Sequence, residues 1–425
     1  MKKLNVKIQT HGCKLNFADS QSIAKSFYES GHLVSDDRKK TSPDVIVLNS
    51  CTVTHVADAK ARQAVRKAKR ENPDSLVVMT GCYAERDKLE LEKTNEIDLV
   101  IPNTQKKNLV ESVLKKLGFE DKLEAFPSSN FPLVGRSRSS IKIQEGCDQI
   151  CAYCIIPSVR GRERSISPDK IISQINEVSE HGVEEVVLTG TQLGNYGFDL
   201  ERINLEGLLK LVLANTVIPR IRVSSLQPKE ITNSIIDLWG SEGKNRLCPH
   251  LHIPLQSGSN KILKQMRRKY SREEYMEIIN KVRGNIPGVS ITSDVIVGFP
   301  GETDKDFHDT LDIVQRSKLS DWHIFPYSKR PGTSAFYSKD FIDPKIIKIR
   351  SGLLRSKSEE ISEKAKQLLI GKYRNILWEG ESKIKGLTDD YFKVERKVSS
   401  FPSSDITKEK LLRICLLYTS DAADE

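Results

Sequence analysis

Residues 144–154 read QEGCDQICAYC, placing Cys147, Cys151 and Cys154 at a C-x3-C-x2-C spacing directly after a short apolar run. Three thiols on one tight loop grip a metal centre but do not complete a four-ligand set. A structural zinc site takes four protein ligands, and no histidine lies within ten residues of this loop. A [4Fe-4S] cluster held through three of its irons would leave the fourth iron open. The chemistry indicated is that of a metal centre with one exchangeable position.

A second set of thiols is spread along the chain. Cys13, Cys51 and Cys82 each follow, within about three positions, the end of a strand-like run: residues 4–10, 44–50 and 75–81. A fourth run covers 99–102, and helical patterns lie between, one with Ile23, Phe27 and Tyr28 on its apolar face and one over 57–71, broken at Pro73. Alternating strand and helix predict an open, largely parallel α/β sheet. The carboxyl ends of its strands line a ligand crevice. The three cysteines are then expected to converge on a second open metal centre. Cys248, before Pro249, reads as packing, and Cys415 is assigned no role.

The loop 144–154 opens a second series of strand-like runs at 141–144, 185–189, 220–224, 250–255, 289–298 and 322–327. Helical patterns such as 168–181, 260–269 and 271–283 separate them. Six such units predict a partial (β/α)6 barrel, with chemistry at the carboxyl ends of its strands. Those ends carry polar, glycine-rich segments, including Gly190-Thr191-Gln192, Ser224-Ser225 and Gln256-Ser257-Gly258-Ser259. Together they suit a polar small molecule. Residues 120–140 read as a linker. Short runs at 373–379, 383–388 and 391–396 predict a small antiparallel β domain, on which aromatic and basic residues alternate in the manner of single-strand nucleic-acid binders. The last ten residues, LLYTSDAADE, fit no domain pattern; they read as a non-native tail, with the genuine end of the third domain missing.

The chain has 425 residues, 38% hydrophobic and 29% charged, which describes globular domains rather than a disordered chain. No apolar run reaches the roughly 18–20 residues that span a bilayer, and the N-terminus shows no secretory signal, so a cytoplasmic protein without membrane contact is expected. In a reducing compartment eight cysteines are thiols rather than disulfides. The net charge of +10 favours a polyanionic partner. Basic stretches at Arg62, Arg66, Lys67, Lys69 and Arg70, at Arg160, Arg162 and Arg164, and at Lys264, Arg267, Arg268 and Lys269 are candidates to hold phosphates.

The motif C-x3-C-x-aromatic-C, here Cys147, Cys151, Tyr153 and Cys154, resembles the signature of the radical S-adenosylmethionine (SAM) enzymes. Adding Gly12-Cys13-Lys14-Leu15-Asn16, Cys51-Thr52-Val53-Thr54, Gly81-Cys82-Tyr83-Ala84 and residues 252–259, HIPLQSGS, the chain resembles the methylthiotransferase family over roughly residues 4–400. The resemblance implies two [4Fe-4S] clusters and SAM. Cys147, Cys151 and Cys154 would hold the SAM-cleaving cluster, and Cys13, Cys51 and Cys82 an auxiliary cluster used in sulfur delivery. Tyr153, Gly190, Thr191, Gln192, Ser224 and Ser225 would lie around SAM. One SAM would supply the radical, another the methyl group. The implied domains are 1–125 (methylthiotransferase), 136–366 (radical SAM core), 370–414 (TRAM-like, RNA-binding) and 416–425 (tail). The implied partners are tRNA, a flavodoxin- or ferredoxin-like electron donor and a sulfur source.

The run Cys51-Thr-Val-Thr followed by 57–63, ADAKARQ, looks most like the branch acting on N6-threonylcarbamoyladenosine beside the anticodon; the branch acting on isopentenyl-type adenosine is the runner-up. Many members have Glu where this chain has Gln227, which would make any role in holding SAM neutral rather than anionic. The reading from a different class is a nucleic-acid-binding protein whose cysteines hold structural metals.

Overall fold

The computed structural model describes residues 3–35, 42–119, 137–380, 384–396 and 405–412. Of the linker reading at 120–140, residues 120–136 fall outside the described residues, as do the tail and Cys415, while Arg138–Ser140 belong to the first strand of the second unit.

The N-terminal unit is a five-stranded, wholly parallel sheet in the order β2-β1-β3-β4-β5, with β1 Asn5–His11, β2 Leu33–Ser35, β3 Val45–Ser50, β4 Leu76–Gly81 and β5 Leu99–Pro102. The central strands β3 and β4 are buried and rich in Val, Leu and Ile, as a sheet covered on both faces requires. Helix α1 (Lys14–Glu29) follows β1, α2 (His55–Glu71) follows β3, and the short α3 (Cys82–Arg86) follows β4. Thr54 caps α2, its hydroxyl accepting from the Ala57 amide. The short, half-exposed β2 gave no pattern in the sequence.

The second unit carries six parallel strands: β6 Arg138–Lys142, β9 Glu185–Thr189, β10 Arg220–Val223, β11 His250–His252, β12 Ser290–Val297 and β13 Asp321–Pro326. They run in the order β6-β9-β10 and β11-β12-β13, and isolated bridges Ile221–Leu247 and Ser225–His252 join the halves. The expected partial barrel is what forms. A two-stranded antiparallel ribbon, β7 Gln144–Glu145 with β8 Arg164–Ser165, closes the base of the cysteine loop. Val186, Leu188, Ile221, Val223, Leu251, Ile291 and Val295 join the main core with the surrounding helices. By strand alternation Glu185, Arg222, His250, His252, Asp294 and His323 line the opposite, inner face.

The third unit is a four-stranded antiparallel sheet in the order β16-β15-β14-β17, made of β14 Tyr373–Glu379, β15 Lys385–Thr388, β16 Lys393–Glu395 and β17 Ile406–Lys410. Its turn after β15 seats Tyr391 on the inner face of the barrel, stacked on His250 at 4.2 Å. Beside it, Arg220 and Arg222 donate to the Leu387 and Thr388 carbonyls. Both guanidiniums also pair with the fully buried Glu185, at 2.6 and 2.8 Å, and hold its carboxyl well below the usual range against the opposing cost of burial. Removing the anion leaves two guanidiniums uncompensated. Glu185→Ala should therefore cost about 3–5 kcal/mol in denaturant unfolding; a loss under about 1 kcal/mol would mean that the pair does not anchor this floor.

Candidate active site

The three N-terminal cysteines stand where the sheet ends. Cys13 caps α1, Cys51 directly follows β3 and Cys82 opens α3. Gly81 enters α3 at φ +97°, and a Cβ there would lie 2.4 Å from the Ser50 carbonyl oxygen, so glycine lets Cys82 close on Cys51. The thiols sense one another. Burial, and then the charges of Cys82 and Cys13, push Cys51 up to about 12. Asn16 accepts from the Cys13 thiol at 3.3 Å, and the Asn103 amide donates to the Cys82 sulfur at 3.7 Å.

The loop set is built in the same way. Gly146 sits at φ +81°, where a Cβ would strike the Arg162 carbonyl, and this draws the ribbon tight beneath Cys147. Burial pushes Cys154 up to about 12 and Cys147 to about 11, and the neighbouring thiols of the loop add to both. Cys51, Cys147 and Cys154 are thus held as thiols by burial and by neighbouring negative charge. A metal cluster supplies the opposing positive charge, so both donor sets fit an iron–sulfur centre. Arg268 donates to the Cys151 sulfur at 3.4 Å, and Tyr153 packs edge-on against Phe299.

The rim residues meet the loop through amides. Gln144 Oε1 accepts from the Thr191 and Gln192 backbone amides and from the Thr191 hydroxyl, and Gly190 lies against the same side chain. The Cys147 thiol donates to Gln192 Oε1 at 3.4 Å. Gln227, the departure from the family pattern, donates to Gln192 Oε1 at 2.8 Å and to Gln149 Oε1 at 3.0 Å, so its neutral amide bridges rim and loop. Ser224 and Ser225 follow β10, Ser224 buried and Ser225 bridged to His252.

Several residues at the site had no local signal. Glu230 accepts from Gln192 Nε2 at 2.5 Å and from the Gln227 amide at 2.8 Å, and burial pushes its carboxyl up to about 7. Deeper in the barrel, Asp294 lies 3.2 Å from His252 Nε2 and 3.1 Å from His323 Nδ1, forming a His–Asp–His row on three neighbouring strands. The basic runs divide. Arg160 is buried and bound to Asp19, Glu145 and Asn16, Arg268 turns in to Cys151, and Lys69 pairs with Asp98. These three are structural cations, correcting their reading as phosphate contacts. Arg62, Arg66, Lys67 and Arg70 remain exposed along α2.

Cys82 packs with Ile155, the residue after Cys154, and with Val159 on the helix that follows, and Asn103 donates to the Val159 carbonyl at 2.8 Å. The two thiol sets, distant in sequence, therefore border one junction.

Fold and site define a radical SAM protein. The family model described as Radical SAM superfamily matches residues 141–314, and the one described as Uncharacterized protein family UPF0004 matches residues 5–102. The chain is 36% identical to the threonylcarbamoyladenosine tRNA methylthiotransferase MtaB of Bacillus subtilis, covering 96% of this chain and 94% of that one. It is 40% identical to the MtaB of Aquifex aeolicus (93% and 97%), and 35% identical to the tRNA-2-methylthio-N(6)-dimethylallyladenosine synthase of Carboxydothermus hydrogenoformans (88% and 88%). Among solved structures, the radical SAM methyltransferase TsrM of Kitasatospora setae shares the fold at TM-score 0.58 and 13% identity, over 79% of this chain and 77% of that one. The chain belongs to the radical SAM methylthiotransferase family, whose radical SAM core implies a [4Fe-4S] cluster and SAM. Among the described residues, no helix is long and apolar enough to cross a membrane.

A carboxyl raised in the folded state contributes stability that is full below its unfolded pKa and lost as pH rises through its folded one. Glu230→Gln, which keeps the uncharged form, should therefore gain on the wild type as pH rises from about 4.5 to about 7, and no further above. Urea unfolding of the metal-free protein across that window checks this; a gap that does not change with pH would mean that Glu230 titrates normally.

Proposed function

We propose that this protein transfers a methylthio group to C2 of N6-threonylcarbamoyladenosine beside the anticodon in tRNA. The observation that carries the reading is the shared junction. Cys147, Cys151 and Cys154 lie on one side of it, and Cys13, Cys51 and Cys82 on the other, with Cys82 packed on Ile155 and Val159 between them. Threonylcarbamoyladenosine as the substrate is supported by the relatives that carry that name at 36% and 40% identity.

When bound, a [4Fe-4S] cluster and one SAM would supply the radical that takes hydrogen from C2, a second SAM would supply the methyl group, and a second cluster would pass on the sulfur. The chain's own residues do the rest. The loop thiols would hold the first cluster, and Cys13, Cys51 and Cys82 the second. Gln192, set by Gln144, Gln227 and Glu230, presents its backbone and amide beside Cys147; together with Tyr153, Gly190, Thr191, Ser224 and Ser225 it would orient SAM. Arg62, Arg66, Lys67 and Arg70 form a stripe on α2, which starts at the junction where the His55 amide bonds Ser328. That stripe would hold tRNA phosphates and make binding salt-sensitive. The C-terminal sheet would add RNA contacts through exposed residues such as Tyr373, since Trp378 is buried and bonds Thr407. A flavodoxin- or ferredoxin-like donor would supply electrons, and a separate source the sulfur.

Paired replacements test this division of labour. Anaerobically prepared protein should hold about eight irons, two four-iron clusters. Cys151→Ala should stop both SAM cleavage to 5′-deoxyadenosine and methylthio transfer. Cys82→Ala should keep SAM cleavage, halve the iron and lose the transfer. Zinc in place of iron, or SAM cleavage surviving Cys151→Ala, would contradict the assignment and favour a nucleic-acid-binding protein with structural metals.

A further inference from the structure

Lys14 directly follows Cys13 and begins α1. Its ammonium lies 5.2 Å from the centre of the Tyr391 ring. That ring is the one stacked on His250, and it also takes the Arg222 guanidinium at 4.9 Å. Arg222 and His250 belong to the inner face of the barrel, Tyr391 to the C-terminal sheet and Lys14 to the N-terminal unit. The half-buried ammonium of Lys14 therefore stands at the floor of the barrel, where all three units meet and one residue from a thiol of the auxiliary set.

The other cations at these interfaces are matched by anions. Arg160 and Lys142 reach both Asp19 and Glu145, Lys106 reaches Asp19, Arg86 and Arg330 reach Asp58, and Arg222 reaches Glu185. Lys14 reaches no carboxylate among the described residues; its ammonium faces the Tyr391 ring. A cation–π contact is weak beside a charge-assisted pair, so an ammonium held this way can receive an anion that the described residues do not supply.

We infer that Lys14 binds the carboxylate of the threonylcarbamoyl group and so selects which N6 substituent the enzyme accepts. This rests on the substrate proposed above. The threonyl arm ends in a carboxylate, whereas the dimethylallyl group of the other branch is an uncharged hydrocarbon that gives an ammonium nothing to pair with. The ureido N–H of the substituent can close onto N1 of the adenine, which lays the arm along the N1–C2 edge. A carboxylate seated on Lys14 then presents that edge to the side of the junction where Cys13 stands.

The test uses the full chain with its clusters reconstituted and three fluorescent anticodon stem-loop RNAs. They carry threonylcarbamoyladenosine, its neutral carboxamide analogue and dimethylallyladenosine. Fluorescence anisotropy should show the wild type binding the acid at least about tenfold tighter than the amide, the size of a charge-assisted contact. Lys14→Met should erase that preference and raise KM for the acid RNA more than it lowers kcat. Lys14→Arg should retain part of the preference. Iron content identifies preparations that have folded. A Lys14→Met protein that keeps the acid-over-amide preference would overturn the inference, as would a wild type that binds acid and amide alike while still modifying the acid RNA. A wild type that modifies only the dimethylallyl RNA would instead overturn the proposed substrate, and the inference with it.

Discussion

Asp19 holds the molecule's two halves together. Its carboxylate, buried on α1, takes Lys106 from its own unit and Lys142 and Arg160 from the barrel, at 2.9, 2.7 and 3.1 Å. These cations keep it ionised far below the usual carboxylate range, against a burial cost that acts the other way. Arg160 then reaches on to Glu145 at the base of the cysteine loop and to Asn16, which accepts from the Cys13 thiol. One chain of hydrogen bonds and ion pairs thus runs from the Cys13 thiol to the base of the cysteine loop. A buried network of this kind adds little net stability over an apolar packing, but it tolerates few alternative registers. Its value here is geometric, because it fixes the separation of the two thiol sets.

The same economy appears at the other interfaces. Asp58 draws Arg86 from the N-terminal unit and Arg330 from the barrel, while Glu185 draws Arg220 and Arg222 beneath the C-terminal turn. Each junction buries one carboxylate between two or more cations. The excess of positive charge in the sequence is therefore partly structural, and the cations left for a polyanion are those on exposed faces such as α2.

What was legible in the sequence was local. Cys13, Cys51 and Cys82 could be placed because strand ends are marked by short apolar runs, and the barrel strands because their Val, Ile and Leu alternate or cluster. The ends of β9, β10, β12 and β13 fell within about two residues of the expected ones. What was not legible depends on partners far away in the chain. Arg160 and Arg268 look like nucleic-acid contacts in a string of letters, and only folding turns them toward Asp19 and Cys151. Glu230, the His252–Asp294–His323 row and the meeting of Lys14 with Tyr391 carry no motif, since each pairing spans units whose relative placement no local pattern encodes. The half-exposed β2 and β17 lacked the apolar signature that marks a strand.

The central claim is that the two thiol sets act together on one modified adenosine. It is tested most directly by nucleoside mass spectrometry of tRNA from cells that lack other methylthiotransferases, with and without this chain. The account predicts that the 2-methylthio form of N6-threonylcarbamoyladenosine appears only with the chain present, at the expense of its unthiolated precursor. A methylthio group found on dimethylallyladenosine instead, or on no adenosine at all, would contradict it.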